Sequence, residues 1–204
     1  MEKLIKEINI LVNQGYKIVI VPGGGELVDK IREFSRIYRI SDSLAHWMAI
    51  MAMDINGMFI SVINNKSKPV KSVRGCVQAL NSRQVPVFLP YRLLKKRDEL
   101  PKSWEVTSDS ISLNIAHILK AKYHILLKDI DGLYNNFIKR GKIIEKITAQ
   151  KLERRKKRNC VDNYLAKLLL KYNRETFLLS GLYPKRIKNV LEGNRTRGTI
   201  ISPH

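Results

Sequence analysis

The chain has 204 residues, 44% of them apolar, which suffices for one compact domain with its own core. Lys and Arg outnumber Asp and Glu by 38 to 18, and the net charge of +20 favours an anionic partner: a nucleotide, a phosphorylated metabolite, nucleic acid or a membrane surface. A solvated lysine surface accounts for much of the excess equally well. The two cysteines form no CxxC pair, which excludes a disulfide framework and favours free thiols in a reducing cytoplasm.

Helix-period segments alternate with short β-branched runs along the whole chain. This alternation predicts an α/β fold with a mainly parallel sheet and helices on both faces, in a single domain over residues 1–204. The predicted helices cover residues 1–14, 25–38, 42–60, 74–82, 110–120, 162–172 and 184–191. The predicted strands and β-type runs cover residues 17–21, 85–89, 123–127, 142–147, 176–179 and 198–201. A charged loop is predicted over residues 91–104.

Neither the start of the chain nor its most apolar stretch predicts a membrane segment. The first 13 residues include Glu2, Lys3, Lys6 and Glu7, which is typical of an amphipathic helix rather than a signal peptide. The apolar stretch 44–63 also contains polar residues, so a buried core helix explains it better than a membrane span. Its methionines are expected to fill the core, and they are Met48, Met51, Met53 and Met58. We expect a cytoplasmic protein without a membrane partner.

Three consecutive glycines, Gly23, Gly24 and Gly25, lie between a short apolar β-type run and a helix-patterned segment. A strand that turns through glycines onto a helix N-terminus brings bare backbone N–H groups next to a ligand. Those groups and the positive end of the helix dipole suit a phosphate or carboxylate. A tight turn without a ligand is the alternative, and this segment alone does not decide between the two.

A second cluster, Thr107, Ser108 and Asp109, precedes an apolar helical pattern. Each is a good N-cap residue, so capping alone explains any one of them. Three short polar side chains at one helix start are also suited to hold lysine side chains or a metal–nucleotide complex in place.

A third cluster lies directly after a buried strand and consists of Lys128, Asp129 and Asp131, with Gly132 and Tyr134 next along the chain. In parallel sheets, ligands bind beyond the C-terminal ends of the strands. A lysine and two carboxylates at such an end are placed for phosphate or magnesium contacts. A plain Asp-Gly turn is the alternative.

A fourth segment places Pro184 in the first turn of a helix and leaves Lys185 at the helix start. A lysine at the positive end of a helix gains nothing from the dipole, so a bound anion explains its position better.

The run of residues 151–158, Lys-Leu-Glu-Arg-Arg-Lys-Lys-Arg, is the densest basic patch. It suits contact with nucleic acid or an anionic substrate. Because it lacks interleaved aromatic residues, a solvated helix end or loop is the favoured interpretation.

The histidines and cysteines predict no metal site. His46, His117 and His124 show no metal-ligand spacing with Cys76 or Cys160.

In this order, the four segments and Gly198-Thr199 near the end resemble the amino acid kinase family, which includes acetylglutamate, aspartate and uridylate kinases. The resemblance covers residues 1–201. The strings at residues 43–49 and 104–111 are similar to an archaeal branch whose members phosphorylate an aminomethylfuran phosphate in methanofuran biosynthesis. The resemblance implies a three-layer αβα sandwich, a homo-oligomer, ATP and Mg²⁺ as cofactors, and a small anionic acceptor.

The resemblance also implies roles for individual residues. Residues 23–25 would bind the acceptor group and the phosphoryl in transit. Asp109 would orient the catalytic lysines, and Lys185 would stabilise the negative charge on the transferred phosphoryl. The residues that would line the nucleotide site are Thr107, Ser108, Lys128, Asp129, Asp131, Gly132 and Tyr134. Such positioning and charge neutralisation provide most of the catalysis in phosphoryl transfer.

Family members carry one further motif, which precedes the four segments described above. Family members begin with a strand that ends in a Lys-x-Gly-Gly-Ser loop, which carries a second catalytic lysine, whereas Met1 opens directly on the helix that comes after that loop. Lys3 and Lys6 lie on this helix and cannot be assumed to replace that lysine. For residues 1–204 we therefore expect ATP–Mg²⁺ binding with weak turnover. A catalytically impaired nucleotide-binding or regulatory protein of the same fold is the alternative, and nucleic-acid binding through the basic run is a second one.

Overall fold

The structure is a computed structural model that describes residues 1–97, 99–136, 141–155 and 160–204. Its helices are α1 (Glu2–Asn13), α2 (Gly25–Ile37), α3 (Asp42–Ile63), α4 (Val73–Asn81), α5 (Tyr91–Arg97), α6 (Ser108–Ile118), α7 (Ala149–Glu153), α8 (Leu165–Tyr172) and α9 (Lys185–Leu191). Its strands are β1 (Ser67–Val70), β2 (Val85–Phe88), β3 (Ile125–Lys128), β4 (Lys146–Thr148), β5 (Thr176–Ser180) and β6 (Thr199–Ser202).

The chain divides into two compact units, one formed by Ile8–Ile111 and the other by Met1–Glu7 with Ser112–His204. We call them the glycine-loop unit and the C-terminal unit. The single domain expected over residues 1–204 stays a prediction.

The glycine-loop unit contains a parallel pair of strands, β1 and β2, with Val70 opposite Phe88. Every residue of β2 is buried, as expected for a strand covered on both faces. Leu11, Ile50, Phe88 and Leu89 are among the fully buried side chains of its core.

The C-terminal unit contains a four-stranded sheet in the order β3-β5-β6-β4. The β3–β5 and β4–β6 pairs are parallel, whereas β5 and β6 run antiparallel. In the β3–β5 register Lys128 lies opposite Ser180, so both strands end at the same level. Parallel pairing in both units confirms the predicted α/β class.

The strand predicted over residues 17–21 is wrong: the structure gives this segment a single bridge, between Ile20 and Val87. The Ile20 N–H donates to the Pro86 carbonyl at 2.9 Å, and the Phe88 N–H donates to the Ile20 carbonyl at 2.7 Å. A parallel ladder continues through the N–H groups of residues 22 and 86, and both are prolines. The two prolines therefore limit the pairing to one residue.

The charged loop predicted over residues 91–104 is also wrong in its first half, which forms α5. The Tyr91 N–H at the helix start donates to Asp54 Oδ1 at 3.1 Å, and Leu94 is buried. Pro90 directly precedes this turn, and its carbonyl accepts from the Leu94 N–H. The charged residues 95–97 therefore belong to a helix, which the buried Leu94 and the Asp54 carboxylate of α3 hold in place. Asp98, part of the predicted loop, lies outside the described residues.

Two short elements are absent from the prediction, and one predicted run is shorter than expected. Strand β1 contains Pro69, which lowers strand propensity. Helix α7 has only five residues and begins after Thr148, whose hydroxyl accepts from the Lys151 N–H. Of the β-type run 142–147, only its end belongs to β4.

Helix α3 is less buried than a core helix. Met53 is buried, but Met51 and Met58 are exposed, so the expectation that the methionines fill the core is wrong for these two. Among the described residues α3 is the one helix long and apolar enough to cross a membrane, and 33% of its apolar window is buried. A single helix of this kind is weak evidence for a membrane span.

Candidate functional site

The glycine loop leads directly into α2. Gly24 stands at the N-cap position, and a Cβ atom there would collide with the Val28 side chain. Gly25 has a φ of +54°, in the left-handed region that favours glycine. The Asn56 side-chain amide of α3 donates to the Gly23 carbonyl at 2.8 Å and holds the loop from one side. Packing and backbone geometry therefore both require glycine here.

The glycine loop meets the start of α6. A Cβ atom built on Gly23 would lie 3.6 Å from Ser108 Oγ, so two of the segments singled out in the sequence are brought together. Asp109 is 3% exposed, and the Thr107 carbonyl accepts the Ile111 N–H at 3.0 Å. The Gly23 backbone and the Ser108 hydroxyl thus lie close together at the starts of two helices, and bare backbone N–H groups at a helix start suit an anionic group. The buried Asp109 carboxylate beside Ser108 suits contact with a cation such as a lysine rather than with the anion itself.

The third cluster lies in the C-terminal unit, directly after β3. We call residues 128–136 the nucleotide loop, after the role that the family resemblance implies for them. The Lys128 carbonyl accepts the Gly181 N–H at 2.7 Å, so the starts of the loops after β3 and β5 are tied together. Asp129 is exposed, whereas Gly132 is buried and a Cβ atom there would lie 2.7 Å from Thr199 Oγ1. The loop therefore packs closely on the start of β6.

Asp131 is engaged by two arginines. Its Oδ1 forms an ion pair with Arg186 of α9, and its Oδ2 lies 3.1 Å from the Arg197 Nε. The Asp131 and Arg186 side chains are only 20% and 15% exposed. The Arg186 guanidinium also lies 4.3 Å from the centroid of the Tyr183 ring. Asp131 thus fixes the nucleotide loop against the first turn of α9.

Lys185 is the first residue of α9, after Pro184 at the N-cap position. Its side chain is exposed, while Pro184 and Ile187 are buried. The Leu182 N–H donates to Ser180 Oγ at 3.3 Å in the turn between β5 and α9. Lysine at an exposed helix start matches the position expected for a group that contacts an anion.

Sequence reasoning missed several residues that hold the nucleotide loop. Thr199 Oγ1 accepts the Leu133 N–H at 2.8 Å and donates to the Ile144 carbonyl at 2.6 Å. The sequence marks Gly198-Thr199 as a motif but does not indicate its contact with the loop. A Cβ atom on Gly198 would lie 2.8 Å from the Leu178 carbonyl, which explains the glycine. Arg186 and Arg197 carry no signal of their own among so many basic residues.

The histidines have structural partners. His124 is buried between Ser112 and Thr176, with its Nε2 3.0 Å from Ser112 Oγ and its Nδ1 2.8 Å from Thr176 Oγ1. His117 stacks on Tyr172 with a centroid distance of 3.9 Å. Among the described residues no group of three or more His, Cys, Asp or Glu could hold a metal ion.

The candidate residues therefore form two clusters. Residues 23–25 and 107–109 lie in the glycine-loop unit, and residues 128–134 and Lys185 lie in the C-terminal unit. In the glycine-loop unit the structure brings Gly23 close to Ser108, and in the C-terminal unit the loop after β3 contacts Gly181 and Arg186, on either side of Lys185 in the sequence. The role of each residue stays a prediction.

A glycine loop that opens a helix, together with a polar loop at the end of a parallel strand, is typical of α/β proteins that handle phosphorylated ligands. Residues 1–171 match the family model described as the amino acid kinase family. The chain belongs to the amino acid kinase family, as its motifs indicate.

Two curated relatives are kinases. The chain is 32% identical over 185 residues to the [5-(aminomethyl)furan-3-yl]methyl phosphate kinase of Methanocaldococcus jannaschii, a match that covers 91% of this chain and 83% of the relative. It is 26% identical over 244 residues to the acetylglutamate kinase of Lactococcus lactis subsp. cremoris, covering 98% of this chain and 85% of the relative. Family and relatives make the chain a kinase.

Solved structures show the same fold. The UMP kinase from Bacillus anthracis matches with a TM-score of 0.77 at 17% identity, covering 98% of this chain and 84% of that one. The uridylate kinase from Archaeoglobus fulgidus matches with a TM-score of 0.72 at 19% identity, covering 98% and 90%. These matches confirm the amino acid kinase fold.

Proposed function

We propose that this chain transfers a phosphoryl group from ATP to a small acceptor that already carries a phosphate, such as an aminomethylfuran phosphate. The observation that carries the proposal is the meeting of the glycine loop with Ser108 at the start of α6. Backbone N–H groups there suit the acceptor phosphate and the phosphoryl in transit. The 32% identity to a kinase named for such an acceptor supports the acceptor class and a place in methanofuran biosynthesis.

The C-terminal unit suits the binding of a nucleoside triphosphate such as ATP. Two arginines, Arg186 and Arg197, meet the single Asp131 carboxylate of this loop, and the exposed Lys185 directly precedes Arg186. The basic groups therefore outnumber the carboxylate that they contact, and this excess of positive charge suits phosphates. We infer that Lys128, Asp129, Gly132 and Tyr134 line the ATP site. The family resemblance assigns Thr107 and Ser108 to nucleotide binding as well.

Magnesium would bind at this site mainly as part of the ATP–Mg²⁺ complex. Mg²⁺ in kinases is held by one or two carboxylates together with substrate phosphates, so a cluster of three protein ligands is not required. Asp129 is exposed and suits this role. Asp131 suits it less, because both of its oxygens are engaged by arginines. When bound, the ion would neutralise charge on the phosphates.

We also infer a cytoplasmic homo-oligomer. The free Cys76 is buried, and burial raises the pKa of its thiol to about 11, which suits an inert thiol in a reducing compartment. Helix α3 exposes apolar side chains at spacings of seven, four, three and four residues, the periodicity that is typical of helix–helix seams. These are Leu44, Met51, Ile55, Met58 and Val62.

The test uses the full chain with a non-hydrolysable ATP analogue and Mg²⁺ in calorimetry, beside a phosphoryl-transfer assay with aminomethylfuran phosphate. In an active, full-length form, Lys185→Ala is expected to lower kcat on the order of 10²–10³-fold, with little change in nucleotide affinity, because it removes charge stabilisation from the transition state. Lys188→Ala is the matched control, since Lys188 on the same helix pairs with Glu192 at 3.6 Å.

Each result decides between the alternatives. Turnover that depends on Lys185 supports the kinase. Nucleotide binding without turnover favours the impaired binding protein of the same fold. An absence of nucleotide binding contradicts both, and an unchanged kcat in Lys185→Ala removes Lys185 from the catalytic set.

A further inference from the structure

The basic run at residues 151–158 is not simply a solvated surface. The structure describes it as far as Arg155, and residues 156–158 lie outside the described part. Lys151, Glu153 and Arg154 are exposed, as expected for a solvated helix end. Arg155 differs, because its guanidinium is partly buried and donates to the Tyr134 carbonyl at 2.8 Å. The basic run thus contacts the nucleotide loop.

The Tyr134 carbonyl is open to this contact because of the way the loop pairs. Tyr134 forms an antiparallel bridge with Ile143. The hydrogen bonds of that bridge come from the flanking residues: the Ile144 N–H donates to the Leu133 carbonyl, and the Asn135 N–H donates to the Lys142 carbonyl. In this arrangement the N–H and carbonyl of Tyr134 point away from the partner segment. Arg155 satisfies the outward carbonyl.

The nucleotide loop is therefore held from two directions. Thr199 Oγ1 accepts the N–H of Leu133, the residue before Tyr134, and Arg155 donates to the carbonyl of Tyr134 itself. A partly buried carbonyl that loses its donor must turn toward water, and the backbone turns with it. Removal of the Arg155 guanidinium would then displace the loop on the side that Thr199 does not hold.

We propose that Arg155 is a positioning residue of the nucleotide site, which holds the backbone of residues 133–135 in the form that receives ATP. This inference rests on the proposed function of the nucleotide loop. It gives one member of the basic run a role in nucleotide affinity, whereas its neighbour Arg154 belongs to the solvated surface.

Three variants isolate the contact. Arg155→Met removes the donor and keeps most of the apolar stem of the side chain. Arg155→Lys keeps one donor at a similar reach, although without the planar guanidinium. Arg154→Met makes the same chemical change at the adjacent exposed position and removes the same charge.

Calorimetry with a non-hydrolysable ATP analogue and Mg²⁺, on the full chain, gives the affinity of each variant. We expect Arg155→Met to raise the Kd about tenfold, because a hydrogen bond from a charged donor to a partly buried acceptor is lost. Arg155→Lys is expected to recover most of this loss, and Arg154→Met to match the parent. The midpoint of thermal unfolding without nucleotide should stay near that of the parent in all three, because the contact lies in an irregular loop.

The outcomes separate this proposal from the function on which it rests. If the parent does not bind the analogue, the proposed function fails. If the parent binds and Arg155→Met binds equally well, the positioning role is overturned and the proposed function stands. Equal losses in Arg154→Met and Arg155→Met, or a matching loss of affinity for a DNA oligonucleotide, would show a general charge effect and also overturn it. If Arg155→Met does not fold, the shorter polar Arg155→Gln decides in the same way.

Discussion

Asp131 shows how a residue can lie in the expected place with partners that no sequence pattern indicates. The Asp-Gly turn after a strand predicts its position, and it lies in that turn. Its carboxylate, however, pairs with Arg186 and Arg197, which are 55 and 66 positions further along the chain. Ion pairs between distant residues depend on the tertiary fold, so spacing alone could identify Asp131 as polar but not its partners.

The Asp131 ion pairs are expected to contribute to stability. Asp131→Asn should lower the free energy of unfolding by about 2 kcal/mol, because two guanidinium groups lose a largely buried counter-charge. Urea unfolding followed by circular dichroism measures the change.

A surface ion pair provides the control for this prediction. Glu145 pairs with Arg195 through two oxygens at 3.0 Å, but the side chains are 74% and 86% exposed. Glu145→Gln should therefore change stability by less than about 0.5 kcal/mol. Equal losses in the two variants would contradict the argument from burial.

At the scale of elements, His124 connects three parts of the C-terminal unit. It directly precedes β3, its Nε2 meets Ser112 of α6, and its Nδ1 meets Thr176 of β5. Burial, with a smaller contribution from the charge of Arg174, lowers the pKa of His124 from 6.5 to about 3. The imidazole is therefore neutral in the folded protein at physiological pH.

This shift predicts how stability depends on pH. Between pH 6.5 and 3 the unfolded chain binds a proton at His124 that the folded chain does not, so stability is fully present above pH 6.5 and is lost as the pH falls. From pH 7.5 to 5 the loss should be about 2 kcal/mol. Urea unfolding at both pH values measures it, and His124→Gln should lose much less over the same range. Parallel pH profiles of the two proteins would rule out His124 as the cause.

Elements with strong periodic patterns are predictable from the sequence, and those set by distant contacts are not. Helices α2 and α8 and strands β2 and β5 lie where the sequence predicts them. In α8, β2 and β5 the apolar pattern agrees with the burial, whereas α2 follows its amphipathic periodicity although none of its residues is buried. The sequence does not predict helix α5, because the start of this helix is held by Asp54 of α3, which lies far away in the sequence.

The candidate site is likewise only partly predictable from the sequence. The glycine loop and the start of α6 are recognisable from composition, since glycines and capping residues have local causes. Their meeting at Gly23 and Ser108 is a tertiary fact. From the sequence alone Arg155 cannot be distinguished from its basic neighbours, because its contact with Tyr134 depends on the tertiary structure.

At the scale of the whole molecule, a net charge of +20 opposes the approach of a second copy. Helix α3 itself adds no positive charge to this repulsion, because its 22 residues include two aspartates and no lysine or arginine, although Lys95 and Lys102 lie over the Trp47 ring near its start. Its exposed apolar stripe therefore combines an attractive surface with a helix that carries no lysine or arginine of its own. Both properties favour self-association through α3.

The self-association prediction is tested by a charge in the stripe. Val62, at 83% exposure, can be changed to Glu with little effect on the fold of one copy. We expect the parent to be a dimer or larger and Val62→Glu to shift it to a monomer, as measured by sedimentation velocity.

Val77 is a suitable control for the Val62 variant. It lies on α4 and is 48% exposed, so Val77→Glu should leave the oligomeric state unchanged. A monomeric parent, or an unchanged oligomer in Val62→Glu, would contradict self-association through α3.

The prolines beside Ile20 have a consequence for motion. The segment that leads into the glycine loop is joined to β2 by two backbone hydrogen bonds, both at Ile20, because Pro22 and Pro86 cannot donate the next ones. Opening this segment breaks these two bonds and the hydrogen bond from Asn56 to the Gly23 carbonyl, and it leaves the β1–β2 ladder intact. We therefore expect the glycine loop to open through a local fluctuation, at a free-energy cost far below that of unfolding the unit.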